Sequence, residues 1–278
     1  MPTARLNGAD IYYEEHGEGF PLVFCHEFAG DCRSWDPQVD YFARRYRVIT
    51  WNYRGYPPSA VPGELSAYSN DQLIADLKAL LDHLGVRQAH VAGLSMGGNL
   101  AMNFAFSHPG YCRSAVIASA GSGTTGRQRF EEDVQRLVAA LRRDGWPVVA
   151  QEYAMRASRV QLLRKNPQGW ERFKLQLSQH SAEGSAFTQL GVQLARKTVF
   201  ELQERIRTIA CPALIVVGDE DEACVEPGLL MKREIASAGL LMLPQAGHMV
   251  NLEEPAVFNA ALAEFFAAVE HGKWHGNA

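Results

Sequence analysis

Residues Ala89-His90-Val91-Ala92-Gly93-Leu94-Ser95-Met96-Gly97-Gly98 run from an apolar, strand-like stretch into a serine flanked by glycines, and a helix-like stretch from about Asn99 to Ser107 follows. A chain that passes from strand to helix through one residue holds that residue in a strained conformation and needs small neighbours on both sides. Gly93 and Gly97 are those neighbours. Ser95 Oγ is then expected to stand clear above a sheet. Beneath it, a helix N-terminus with free N–H groups stabilises negative charge on a substrate oxygen. Gly-x-Ser-x-Gly alone is weak evidence, since with glycine at ~7% of residues it arises by chance in about one chain in ten to thirty of this length. Its force lies in its context; the competing reading is a glycine-rich structural turn.

Outward from this turn, the chain alternates apolar runs with helical patterns. Arg5-Leu6 and Ile11-Tyr12-Tyr13 flank Asn7-Gly8, which predicts a hairpin. Short apolar runs at 21–25 and 46–51 predict strands covered on both faces, with a short helix over 35–44 between them. From Ser69 the spacing of Leu73, Leu77, Leu80, Leu81 and Leu84 predicts a helix, with a Ser69/Gln72 capping box and Gly85 as its stop. Further strands are expected at 114–119, 213–217 and 240–243. The pattern is that of a mostly parallel sheet wrapped by helices, an α/β fold.

The alternation breaks between about Gly121 and Arg205, where Phe130, Val134, Leu137, Val138 and Leu141 recur at helical spacing. This predicts an inserted helical cap over 122–205, with 1–121 and 206–278 forming the core and the glycine-rich Gly121–Gly126 as hinge. The cap carries Trp146, Tyr153, Met155, Trp170, Phe173 and Phe187, either as pocket lining or as packing.

A chain of 278 residues, 47% hydrophobic, can bury one large core. Its net charge of −4 creates no basic field, so neither nucleic acid nor anionic lipid is an expected partner. Five cysteines without CxxC spacing fit buried thiols better than a disulfide framework or a zinc site. No run approaches the roughly 18 apolar residues of a membrane span and the start carries no apolar leader, so a cytoplasmic protein is expected. A homodimer is compatible with the sequence, which does not determine it.

A serine hydroxyl needs a base, and a neutral imidazole needs a carboxylate to hold its tautomer. Of nine histidines, His248 follows the last expected strand and returns the chain to the sheet edge from which Ser95 projects. The strand over 214–217 ends in Gly218-Asp219-Glu220-Asp221-Glu222. Asp221 is the preferred orienting acid, because a Gly-x-x-Asp turn swings back over the strand end; Asp219 is the alternative. A second oxyanion donor besides the Met96 N–H is expected in the loop His26-Glu27-Phe28-Ala29-Gly30.

With that loop, Asn52-x-Arg54-Gly55, the Gly-x-Ser-x-Gly turn, Gly-x-x-Asp and Gly-His in order, nearly the whole chain resembles the α/β-hydrolase superfamily, in its cap-bearing esterase, lactonase and carbon-carbon-bond hydrolase branch. The resemblance implies catalytic Ser95, Asp221 and His248, an oxyanion hole from the N–H groups of Phe28 and Met96, and no cofactor or metal. Glu27 stands where such hydrolases usually have glycine, and Asn52 where aspartate is common. A carboxylate there opposes developing negative charge unless it points away, is protonated, or pairs with Arg33 or Arg54; the alternative is a substrate contact or proton transfer. Trp35 is a second candidate for the substrate pocket.

The reading is a serine hydrolase cleaving a carboxylic ester of a small to medium substrate. Alternatives are a lactonase or vinylogous-diketone hydrolase with the same residues, and an acyltransferase or a non-catalytic receptor. Serine at the turn argues against haloalkane dehalogenases and epoxide hydrolases, which generally place aspartate there. Turnover is expected to fall as His248 protonates below neutrality, and a rate that stays flat into acid, where chemistry limits, would contradict the assignment.

Overall fold

The computed structural model describes residues 2–276. Its centre is an eight-stranded sheet of β1 (Thr3–Leu6), β2 (Ala9–His16), β3 (Phe20–Cys25), β4 (Tyr46–Trp51), β5 (Ala89–Leu94), β6 (Cys112–Ala118), β7 (Ala213–Gly218) and β8 (Ala238–Leu243), in the order β1-β2-β4-β3-β5-β6-β7-β8. The β1–β2 and β2–β4 pairs are antiparallel and the remaining pairs parallel. Asn7 and Gly8 both take positive φ, +45° and +82°, as a two-residue hairpin turn requires.

Helices α1 (Asp36–Phe42), α2 (Asn70–His83) and α3 (Met96–Ser107) follow the early strands. Between β6 and β7 come α4 (Arg127–Asp144), α5 (Trp146–Ala154), α6 (Val160–Lys165), α7 (Pro167–Ser178), α8 (Ala182–Thr188), a π-turn over Gln189–Leu194, and α9 (Gln203–Ile206). The chain closes with α10 (Glu222–Glu234), α11 (Val250–Glu253) and α12 (Pro255–Glu270). Among the described residues no helix is long and apolar enough to cross a membrane.

Successive strand residues face opposite layers. On β3, Val23 and Cys25 join a core shared with Leu77 of α2, Leu100 of α3 and Met231 of α10, while Leu22 and Phe24 join one shared with Phe42 of α1 and Phe258 of α12. Burial on both faces explains why the central strands read as continuous apolar runs. All five cysteines are free and buried in this packing.

Three local expectations need adjustment. α3 begins at Met96, three residues earlier than its side-chain pattern suggests, because Gly97 and Gly98 are helical through packing against the sheet rather than through propensity. β6 likewise starts at Cys112. The capping box at α2 is half formed: Ser69 Oγ accepts the Gln72 N–H at 3.0 Å, but the Gln72 side chain donates to Asp76 at 2.9 Å. Asp76 is buried against Arg54, with nitrogen–oxygen distances of 2.7 and 2.8 Å, and this charged acceptor outcompetes the backbone.

The chain leaves β3 for β4 on one side and returns to β5 on the other. The C-terminal ends of β3 and β5 therefore flank a topological switch point, where open α/β sheets place their crevice. The loop 26–30 and Ser95 emerge there.

His90 on β5 is buried against the rings of Phe266, Phe20 and Tyr46 and engages Ser114 and Glu270. Burial pushes its pKa down to about 4, against the opposing pull of Glu270. An unfolded chain, with histidine near 6.5, binds that proton more readily, so the stabilisation is complete above pH 6.5 and is lost as pH falls from there toward 4. The urea midpoint is expected to drop between pH 7 and 5, with His90 contributing at most about 1.4 kcal/mol per pH unit. His90→Gln should flatten that slope; an unchanged slope would remove His90 from the account.

Candidate active site

Ser95 has φ +57° and ψ −112°, a conformation costly for a non-glycine residue. The surrounding backbone holds it there. Its N–H donates to Ala118 O at 2.8 Å, and its carbonyl accepts the Asn99 N–H at 2.9 Å as the first turn of α3. A Cβ on Gly93 would lie 2.0 Å from Gly97 O, and one on Gly97 would lie 1.9 Å from Cys25 O. Only glycine permits this approach of strand, turn and helix.

His248 reaches this serine from the loop after β8. Its Nε2 lies 2.8 Å from Ser95 Oγ, and its Nδ1 lies 2.7 Å from Asp221 Oδ2. Burial alone would raise the Asp221 carboxyl, but charge and hydrogen bonding from His248 outweigh it and leave it below its usual value. An ionised Asp221 only accepts, so His248 Nδ1 carries a proton and Nε2 is free to accept from Ser95. Asp219 faces solvent and accepts the Ala246 N–H at 3.2 Å, without reaching the imidazole.

The sequence reading missed the group that holds this loop. Glu253 is buried, and its carboxylate accepts the N–H groups of Gly247 at 2.5 Å and Met249 at 3.0 Å, on either side of His248. The His248 N–H donates to Ser158 O at 2.8 Å, tying the loop to the inserted helices. An acid five residues after a histidine was the available signal, but it means nothing until α11 folds it back.

The loop after β3 is braced from below. His26 Nδ1 lies 2.7 Å from Glu27 O and must donate to it; His26 Nε2 then accepts the Tyr53 N–H at 3.3 Å. Burial lowers the pKa of His26 to about 3, so this neutral form is kept. Tyr53 and Tyr56 hydroxyls donate to the carbonyls of His26 and Phe28, each at 2.8 Å. Because Glu27 O also accepts from Gly30, the planar peptide turns the Phe28 N–H away, and among the described residues it has no acceptor. Met96 opens α3, so its N–H has no intrahelical acceptor either.

Glu27 is fully buried and pairs with neither expected cation, because Arg33 is taken by Asp31 and Arg54 by Asp76. Its Oε1 accepts from Ser34 Oγ at 3.2 Å, and Oε2 has no partner among the described residues. Burial raises its pKa, favouring the neutral acid, while Arg159 and His248 oppose that shift. Trp35 does not line the site: it stacks on Phe24 at 4.5 Å and packs on Phe258 in the core on the α12 side of the sheet. The turn through Cys32–Trp35 directs it inward, which removes it from the candidate pocket residues.

Asp221, Cys224 and His248 lie close enough together to suggest a metal cluster, but both imidazole nitrogens are already engaged. Surface hollows of about 710 Å³ beside α4 and about 620 Å³ beside Tyr46 and Arg113 contain none of Ser95, His248 and Asp221. Convergence of reactive groups, rather than the size of a hollow, marks the site. Glu253→Gln leaves one carbonyl oxygen for two N–H donors, so a loss of about 1–3 kcal/mol in denaturant unfolding is expected; an unchanged midpoint would show that the clamp is dispensable.

The family model described as "alpha/beta hydrolase fold" matches residues 21–255. The chain is similar to 3-oxoadipate enol-lactonase 2 of Acinetobacter baylyi, 29% identical over 242 residues, 87% of this chain and 86% of the relative. Among solved structures it is similar to an N-acyl homoserine lactone degrading enzyme, 28% identical with a TM-score of 0.79, covering 95% of this chain and all of the other. It is also similar to a hydrolase from Pseudomonas aeruginosa PA01, 26% identical with a TM-score of 0.84, over 96% and 98% of the two chains. The eight-stranded, mostly parallel sheet, with a serine on the strand-to-helix turn at its switch point, has the architecture that this match describes, and the chain belongs to the alpha/beta hydrolase fold family.

Proposed function

We propose that the protein is a serine hydrolase of carboxylic esters, cyclic esters included, working through an acyl-enzyme on Ser95. The observation that carries the reading is the hydrogen-bonded series Ser95–His248–Asp221, 2.8 and 2.7 Å, beside two unengaged backbone N–H groups. His248 Nε2 takes the Ser95 proton as Oγ attacks the carbonyl carbon. The resulting oxyanion is held by the N–H groups of Phe28 and Met96. His248 then gives its proton to the departing alkoxide oxygen, and a water activated by His248 repeats the sequence on the acyl-enzyme.

Asp221 holds the imidazole in the tautomer this cycle needs and stabilises its charged form. Helices α4 to α8 act as a cap over the reacting carbonyl. Two of the similar proteins bear names that refer to lactones, which are cyclic carboxylic esters and need no change of mechanism.

Hydrolysis of short-chain aryl esters by the wild type is expected to fall by about four orders of magnitude or more in Ser95→Ala. Full activity in that variant would remove Ser95 as nucleophile. Transfer to added thiols or alcohols in preference to water would reassign the protein as an acyltransferase.

A further inference from the structure

The inserted helices bring to the site a cation that no group among the described residues neutralises by contact. Arg159, only 4% exposed, follows Ser158, whose carbonyl accepts the His248 N–H at 2.8 Å. Its guanidinium lies 4.8 Å from the Tyr153 ring centre and 5.6 Å from that of Phe173, and its Nη2 donates to Tyr153 Oη at 3.1 Å. Tyr153 in turn packs edge-on to Phe28, 6.3 Å between ring centres. Arg159 is thus linked to the His248 loop through the backbone and to the loop after β3 through one ring.

Arg159 Nη1 is buried without a hydrogen-bond partner, and among the described residues no carboxylate lies within ion-pairing distance of this guanidinium. An arginine held this way is costly, because it has given up water without gaining an anion. The carboxyls that feel its charge, Glu27 and Asp221, do not relieve it: Asp221 is committed to His248, and burial favours the neutral acid at Glu27. Glu27 Oε2 is likewise buried without a partner, and a protonated carboxyl there would be a second donor. The site therefore offers hydrogen-bond donors beyond those that ester cleavage uses, together with a positive charge.

We infer that Arg159 anchors a carboxylate carried by the substrate, so that the preferred substrates are anionic esters or lactones rather than neutral ones. A planar carboxylate matches the guanidinium fork, and Tyr153 and Phe173 fix the plane in which that fork is presented. The inference rests on the ester-hydrolase reading for its kinetic test and is independent of it for its binding test.

The kinetic test compares phenyl butyrate with two anionic counterparts, monophenyl glutarate and 4-(butyryloxy)benzoate, which carry the carboxylate on the acyl and alcohol sides. The wild type is expected to favour one anionic ester in kcat/KM by about ten- to a hundred-fold, the range of a charge-assisted hydrogen-bonded contact. Arg159→Met should collapse that ratio, and Arg159→Lys, which keeps the charge without the fork, should restore part of it. A wild-type preference for the neutral ester over both, or a ratio unchanged in Arg159→Met while all rates fall together, overturns the inference and leaves Arg159 a packing residue. In the binding test, glutarate is titrated calorimetrically into Ser95→Ala and into Ser95→Ala/Arg159→Lys. Saturable binding weakened by the second change, in a protein whose wild type cleaves none of the esters, sustains the anion site while the hydrolase reading fails. Absence of saturable binding to Ser95→Ala overturns the site whatever the kinetics show.

Discussion

Backbone meets backbone at the turn around Ser95, and the placement of every group above the sheet depends on that contact. Gly97 lies so close to Cys25 that a single methyl group there would overlap a carbonyl oxygen, and Gly93 stands in the same relation to Gly97. The approach draws the N-terminus of α3 between the ends of β3 and β5 and presses Ser95 into its positive-φ conformation. The strain is tolerated because the serine N–H and carbonyl are both bonded, to β6 and to α3, so the turn has no relaxed alternative nearby.

What surrounds the serine is a set of short loops, each fixed by buried polar groups rather than by regular structure. His26, Tyr53 and Tyr56 hold the carbonyls of the loop after β3, and Glu253 grips the N–H groups on either side of His248. Buried polar groups are costly when unpaired and position their neighbours when paired, so these loops are held by more than their own backbone. The same logic singles out the exceptions. Among the described residues, Glu27 Oε2 and Arg159 Nη1 are two of the buried side-chain atoms left without a partner. Arg159 is near enough to Glu27 for its charge to oppose the upward shift of that carboxyl, so the two belong to one region between the inserted helices and the loop after β3.

Division of labour between the layers follows. The sheet and its connecting loops carry Ser95, Asp221 and His248, which are hydrogen-bonded to one another without any contribution from the inserted helices' side chains. The inserted helices contribute aromatic packing through Trp146, Tyr153 and Phe173, which are buried, and one charged group whose surroundings are incomplete. The two parts of the chain are joined at the site by the hydrogen bond from the His248 N–H to Ser158 O.

Much of this was legible without coordinates, for reasons that can be named. Strand and helix periodicities showed the sheet and its wrapping because burial on one or both faces dictates where apolar residues recur. Gly93, Ser95 and Gly97 announced the turn because a close backbone approach admits only glycine, and that requirement is local in sequence. Ser95, Asp221 and His248 could be singled out because Ser95 follows directly on β5 and the other two lie in the short loops after β7 and β8. Side-chain direction and long-range pairing were not legible. Whether Arg33 and Arg54 serve Glu27 depends on Asp31 and Asp76, which compete for them at shorter reach, and a string of residues does not record which acceptor is nearer. Trp35 turns into the core because the Cys32–Trp35 turn aims it there. Arg159 is one arginine among many until α5, α6 and the His248 loop close around it. The architecture and the order of the candidate reactive residues could be read along the chain, since both follow from local rules of packing and turn geometry. Which charges are paired and which are not emerged from the folded chain alone, because that depends on distances between segments far apart in sequence.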